Sequence, residues 1–349
     1  MLRAAVIGAG RMGRGHIGVY RQLEREGYPV KLVALCDVDE SKFAGNKGAE
    51  LNIARSAGVS TDAPDYSAYH CYTDMADMLA HEALDAVDVV VPTYLHAPVT
   101  MQVLNAGVNV LCEKPMSTGT DLCQQMIDTA EAAGKRLMIG QCLHFWNEYV
   151  ILREKVLSGE YGKVNEAYFY RGGAQDPVKN PSWQQWILDR SLGGGGLFDQ
   201  HIHDIDVIRW CFGTPKSVSV IGTTIYPKSA YDVCAVHYRF DDPSLIVSAR
   251  DCTVYKGSYG FRYGYSVNFE HATMVCQDGQ LTIMAEGQDP ILVPRDKNSA
   301  YYYEIRCFLD GIQSGAPYDR NRPEEAMENV RIALAELESA DKGGAEVML

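Results

Sequence analysis

The chain lacks a basic excess, a long apolar run and any paired-cysteine spacing, and each absence narrows what it does. Across 349 residues, 32 lysines and arginines face 45 aspartates and glutamates, a formal charge of −13. Phosphate backbones and anionic leaflets attract basic surfaces, so neither a nucleic acid nor a membrane is expected as partner. No apolar stretch approaches the roughly 18 residues of a membrane-crossing helix. Met1 leads almost directly into the apolar run Ala4-Ala5-Val6-Ile7, without the charged region, apolar core and small-residue cleavage site of a secretory leader. Cytoplasmic residence is therefore the expectation. Ten cysteines are present, but none forms a C-x-x-C pair, and Cys36, Cys112, Cys142, Cys211, Cys234, Cys276 and Cys307 stand in or beside apolar runs. They read as reduced, buried small side chains rather than disulfide partners or metal ligands.

What is present is the composition of a folded protein, 46% hydrophobic and 22% charged, with a length that suits two domains. From residue 1 to 141, short β-branched runs (Arg3–Ile7, Val30–Cys36, Ala86–Val91, Asn109–Cys112, Arg136–Gly140) alternate with helical stretches such as Gly13–Glu26, Ala97–Ala106 and Thr118–Ala133. That alternation predicts an α/β, doubly wound parallel sheet. From 142 to 349 the pattern changes to strands separated by short turns (Ser217–Ile225, Asp232–Phe240, Leu245–Cys252, Ser266–Glu270, Ala272–Cys276, Gln280–Met284). Helices are expected near Tyr149–Ser158, His201–Cys211, Tyr301–Ser314 and Pro323–Ser339. An α+β domain with a large, mostly antiparallel open sheet follows.

Gly8-Ala9-Gly10-Arg11-Met12-Gly13 is a G-x-G-x-x-G sequence placed between the first strand and the first helix, with Asp37 at the end of the second strand. In that context the glycines provide a tight turn, close backbone approach to a pyrophosphate and close helix–strand packing, while the phosphates sit on the helix N-terminus. The Asp37 carboxylate suits both hydroxyls of an adenosine ribose and repels a 2′-phosphate. NAD is expected, NADP less so, although Lys42 stands five residues on.

Three further motifs occur in order: Pro92-Thr93-Tyr94-Leu95-His96, Glu113-Lys114-Pro115, and Gly193-Gly194-Gly195-Gly196-Leu197-Phe198-Asp199 followed by His203-Asp204-Ile205-Asp206. Together with the glycine turn, this set resembles the Gfo/Idh/MocA family of oxidoreductases over essentially the whole chain. The resemblance implies a catalytic group of Lys114, Asp199 and His203. It also implies that Pro92, Thr93, His96 and Glu113 line the cofactor and that the Lys114–Pro115 bond is often cis. Copies would pair as dimers or tetramers through the second-domain sheet. The residues support these roles on their own chemistry. Asp199 and His203 are i and i+4, on one face of a helix, where a carboxylate orients an imidazole that takes a hydroxyl proton. Lys114 follows a parallel strand at its C-terminal end, where its ammonium polarises a developing alkoxide or carbonyl.

Two positions depart from the family pattern: His201, where glycine is usual, and His144, where arginine is common. Both are carried as substrate contacts, with Trp183, Lys114, Asp199 and His203. His201 also has the reading of simply pointing away, since i+2 on a helix lies about 200° round. His201-x-His203 shares a face on a strand but not on a helix, so no metal is expected. Tyr255, Tyr259, Phe261, Tyr263, Tyr265 and Phe269 crowd one segment, either as core and subunit interface or as a sugar-stacking surface. The expected activity is NAD-dependent oxidation of a secondary hydroxyl on a sugar, glycoside or cyclic polyol. The alternative is redox-assisted glycoside cleavage through a 3-keto intermediate, with His201 as the extra acid–base.

Overall fold

A computed structural model describes residues 1–44, 66–174 and 186–349 and resolves two compact units. The first comprises Met1–Cys142 and Asn298–Met327, the second Leu143–Lys297 and Glu328–Leu349.

In the first unit, β1 (Leu2–Ile7), β2 (Val30–Cys36), β3 (His70–Tyr72), β4 (Ala86–Val89), β5 (Asn109–Glu113) and β6 (Leu137–Gly140) form a six-stranded sheet in the order β3-β2-β1-β4-β5-β6. Each neighbouring pair is parallel. The order reverses between β1 and β4, where open α/β sheets bind their ligands at the carboxyl ends of the strands. Strands buried on both faces need continuous apolar sequence, and Ala4, Ala5, Val87, Val89, Val110 and Leu111 accordingly show 0% exposure. The helices are α1 (Arg11–Arg25), α2 (Met75–His81), α3 (Thr93–Asn105) and α4 (Thr120–Ala133). Asp74 caps α2, accepting from the N–H groups of Ala76 at 2.6 Å and Asp77 at 3.4 Å. Helix α3 begins one turn before the expected Ala97, because Pro92 supplies an N-cap with φ −57° and Pro98 lies inside the helix rather than at its start.

A single cut at 141/142 assigns residues 298–327 to the second part of the chain, but in the structure they pack with the first unit. Helix α7 (Ala300–Ser314) lies against α1 and β5, burying Ile305, Phe308 and Leu309 completely. Polar ties hold the stretch there. The Tyr302 hydroxyl donates to Glu26 at 2.6 Å, and the Asn321 side-chain amide donates to the carbonyls of Ile139 and Gln141 at 3.0 and 3.2 Å.

The second unit contains a nine-stranded sheet. Its strands are β7 (Val164–Gly172), β8 (Ser217–Thr223), β9 (Val233–Arg239), β10 (Ile246–Cys252), β11 (Arg262–Phe269), β12 (Ala272–Gln277), β13 (Gln280–Ala285), β14 (Ile291–Leu292) and β15 (Val347–Met348). They run β14-β13-β12-β11-β7-β10-β9-β8-β15, antiparallel except for the parallel pair β7/β10. Helix α5 (Asn147–Ser158) packs on α6 (Gly195–Phe212), and α6 packs on β7, β9 and β10. Alternation along the strands sends Phe169, Val236, Ala249, Tyr263, Tyr265 and Phe269 into the core. The crowded tyrosines thus divide: Tyr263 and Tyr265 are core, whereas Tyr255 and Tyr259 stack with centroids 4.0 Å apart and Tyr259 is exposed.

Helix α6 starts six residues before the expected His201, so Asp199 lies inside it. The glycines that hide this first turn from sequence reasoning are required by it. Gly195 has φ +83°, and a Cβ there would stand 2.4 Å from the Ala230 backbone nitrogen. All ten cysteines are free, and burial pushes thiols such as Cys36 up to about 11 and Cys123 up to about 12. No helix among the described residues is long and apolar enough to cross a membrane.

Candidate active site

Each unit carries one part of the expected chemistry. In the first, the glycine turn joins β1 to α1. Gly8 has φ +101°, and a Cβ on it would lie 2.2 Å from the Val90 carbonyl oxygen; one on Gly13 would lie 1.8 Å from the Gly8 carbonyl oxygen. These two positions permit the turn and the close helix–strand packing. A Cβ on Gly10 would meet nothing within 4 Å. Gly10 is the N-cap of α1, no side chain caps that end, and first-turn N–H groups have no acceptor within their own helix. Open space above uncapped donors at the positive end of a helix dipole fits a pyrophosphate, so the turn suits a dinucleotide. Arg11 and Met12, in the first turn, are partly exposed there.

Asp37 secures the same turn. Its two carboxylate oxygens accept the backbone N–H groups of Ala9 at 2.8 Å and Asp39 at 2.9 Å, and each keeps capacity for a ribose hydroxyl. Asp37→Ala is expected to weaken NADH binding about tenfold or more, on the scale of a hydrogen bond to a charged group. NADPH binding should weaken much less, because the repelling charge goes too. Fluorescence titration with both cofactors checks this, and an unchanged preference would contradict the ribose role.

At the strand ends, Lys114 is partly exposed and Pro92 likewise, whereas Thr93, His96 and Glu113 are buried. The peptide between Lys114 and Pro115 is cis. His96 sits behind the surface as a brace, with Nδ1 2.7 Å from the Pro115 carbonyl and Nε2 2.8 Å from that of Val91. Burial keeps the ring neutral, so one of these nitrogens donates to its carbonyl, the backbone-bonded arrangement open to this residue beside its cofactor-lining one. Glu113 faces inward as well. One oxygen accepts the Lys114 N–H at 3.0 Å, and the other lies 3.1 Å from His16 Nε2. His16 Nδ1 lies 2.8 Å from Asp88, which is fully buried on β4. Burial opposes charge on His16, but Asp88 and Glu113 outweigh it and hold the imidazolium well above 6.5. Neither His16 nor Asp88 stands out by motif. The available signal was a lone carboxylate within the apolar strand Ala86-Val87-Asp88-Val89.

In the second unit, α6 places Asp199 and His203 one turn apart on the same face, and both are largely buried. Asp206, a further turn along, accepts from the Asn329 side-chain amide at 2.7 Å and lies 3.0 Å from His144 Nε2. His144 is completely buried and stacks on Trp210 with centroids 4.1 Å apart. It is a core residue of this unit and not the substrate contact expected. His201 is corrected in the same way. It projects from another side of α6, with 0% exposure, its Nε2 3.0 Å from the Tyr238 hydroxyl and 3.5 Å from Glu336, and its Nδ1 3.6 Å from Asp204. The 200° offset turned it into the unit's own interior. Trp183 lies outside the described residues.

Burial and mutual charge shift the ionisable groups around His201, Glu336 and Asp251 among them. Burial disfavours charge on His201, but Glu336 and Asp204 push it up to about 9. Burial likewise pushes Glu336 and Asp251 up to about 7. A raised imidazole contributes stability that is complete below about pH 6.5 and lost as pH climbs through about 9. Carboxyls raised by burial favour the protonated fold and lose that preference between about pH 4.5 and 7. Both signs agree, so the melting temperature is expected to fall from about pH 5 to 9.5. Thermal unfolding against pH checks it; a flat or rising profile would contradict the assignment.

Two family models match separate parts of the chain. Residues 2–141 match the model of the oxidoreductase family with an NAD-binding Rossmann fold, and residues 149–275 match the Gfo/Idh/MocA C-terminal domain. The chain is 29% identical to an inositol 2-dehydrogenase of Corynebacterium glutamicum over 90% of its own length and 86% of that protein. It is also 29% identical to a 2,7-anhydro-N-acetylneuraminate hydratase of Mediterraneibacter gnavus, over 49% of the chain and 46% of that enzyme. Among solved structures, a levoglucosan dehydrogenase in complex with NADH and levoglucosan superposes with a TM-score of 0.81, 17% identity and 99% coverage of both chains. A glycine turn open to a pyrophosphate, Asp37 at the second strand end and two matching domain models lead to one assignment: the chain belongs to the Gfo/Idh/MocA family and is an NAD-dependent oxidoreductase.

Proposed function

We propose that this oxidoreductase acts reversibly on a secondary hydroxyl of a sugar, glycoside or cyclic polyol such as inositol. The observation that carries the proposal is the pairing of Asp199 and His203 one turn apart on α6, in a chain whose other unit presents Lys114 at a strand end of the cofactor-binding sheet. NAD, when bound, supplies the hydride acceptor. His203 takes the proton of the substrate hydroxyl, which raises electron density on that oxygen as the carbon is oxidised. Asp199 orients the imidazole and stabilises its charged form. The Lys114 ammonium stands for the positive charge that the developing alkoxide and carbonyl oxygen need, and in the reverse direction it polarises the ketone. Inositol and levoglucosan, named with the relatives above, are the natural first probes. Formation of reduced nicotinamide should accompany oxidation of one of them or of a related cyclic polyol; no reduction with any member of a broad sugar and polyol panel would sink the proposal. The redox-assisted cleavage reading drew on His201 as an additional acid–base, and the complete burial of His201 against Tyr238 and Glu336 removes that support.

Pairing of copies through the second-unit sheet belongs to the same reading. Ile221, Ile246 and Met284 project from its outward face with 73%, 55% and 37% exposure, apolar side chains that a second copy would cover. Sedimentation is expected to give a dimer or tetramer, and a monomer at micromolar concentration would contradict it.

A further inference from the structure

We propose that His16 is a positioning residue for Lys114, acting through Glu113 and held in place by Asp88; this rests on the role proposed for Lys114. His16 lies in α1, six residues beyond the Gly10 N-cap and about 9 Å along the helix axis at the usual rise. Its ring spans two neighbouring strands. Nδ1 is 2.8 Å from Asp88 on β4, and Nε2 is 3.1 Å from Glu113, the last residue of β5. The second oxygen of Glu113 accepts the Lys114 N–H at 3.0 Å. One carboxylate therefore fastens the peptide from which the lysine side chain projects, and the imidazolium fastens that carboxylate. Tyr301 closes the remaining side, with its ring centroid 5.5 Å from that of His16.

All three charged groups are buried, with His16 1%, Asp88 0% and Glu113 6% exposed. Withdrawing three charges from water is costly, and a packed apolar set of similar volume is commonly at least as stable as a buried ion cluster. Stability alone does not account for the cluster. What it provides is a rigid link between the helix that receives the pyrophosphate and the strand end that carries Lys114, so cofactor seat and ammonium keep a fixed relation. At 1% exposure, His16 itself touches neither cofactor nor substrate.

The test is a double-mutant cycle on the full-length protein, read as single-turnover NAD reduction per NADH-binding site. His16→Gln and Glu113→Gln are each expected to lower the rate roughly 10- to 100-fold, with NADH affinity within about threefold of wild type. Introduced into Lys114→Ala, the same changes should alter the residual rate by less than about twofold, because their effect passes through the lysine. A folded variant with the wild-type rate, or an equal fold-loss in both backgrounds, would overturn the proposal. If His16→Gln fails to fold, Glu113→Gln completes the cycle and the same two results decide it. A wild-type rate in Lys114→Ala alone would instead overturn the lysine's own role, which separates the two failures.

Discussion

His203→Ala is expected to lower kcat by about 10²–10⁴, the range that a positioned acid–base contributes. Oxidation of an alcohol requires the hydroxyl proton to leave as the carbon loses hydride, and a neutral alcohol does not release it unaided near neutral pH. His203 is on the same face of α6 as Asp199, one turn on, and both are largely buried. NADH affinity should remain close to wild type; the variant should stay folded, alanine being the best helix former, with a melting temperature lowered by the packing that the buried imidazole gave. Steady-state kinetics with cofactor titration and thermal unfolding check this. Turnover within a few-fold of wild type would remove His203 from the proton-transfer role.

Lys114→Ala carries the second large effect, a fall in kcat of about 10²–10³, the loss seen when one stabiliser of a developing oxyanion is removed. NADH affinity should fall only a few-fold, because the backbone cradle at Gly8–Gly13 and the Asp37 carboxylate remain. A lysine that merely solvated the surface would leave kcat unchanged. Lys114→Arg should recover little of the loss, because a planar guanidinium on a longer stem does not reproduce a compact ammonium. The kcat ratios of the two variants, compared at saturating NAD, measure both effects.

The first unit was the more legible in sequence because its signals are local. Strand, G-x-G-x-x-G and helix follow one another within Leu2–Arg25, and Asp37 closes the second strand, so spacing alone located the cofactor turn. Asp199 and His203 were equally readable as an i, i+4 pair. The unread features depend on tertiary context. Residues 298–327 belong with the first unit because α7 covers α1 and β5, and nothing within that stretch says which sheet it will cover. His144 and His201 drew attention as departures from a family pattern, yet burial and direction decide what a side chain meets, and both point into the second unit's core. His16 and Asp88 were passed over for the opposite reason: they lie inside apolar elements whose periodicity signals packing, where a buried charge is visible only as an exception. The glycines at 194–196 masked the start of α6, since low helix propensity conceals a turn that close packing against Ala230 and Thr253 enforces.

Net NAD-dependent oxidation of a carbinol carbon is tested by proton NMR in D₂O of the wild-type enzyme with NAD and an inositol and sugar panel. Reduced nicotinamide carrying protium at C4 is expected, formed in step with one equivalent of ketone. Release of an aglycone or of water with the cofactor returned to its oxidised form and no net reduction would contradict it, as would reduced nicotinamide labelled from solvent.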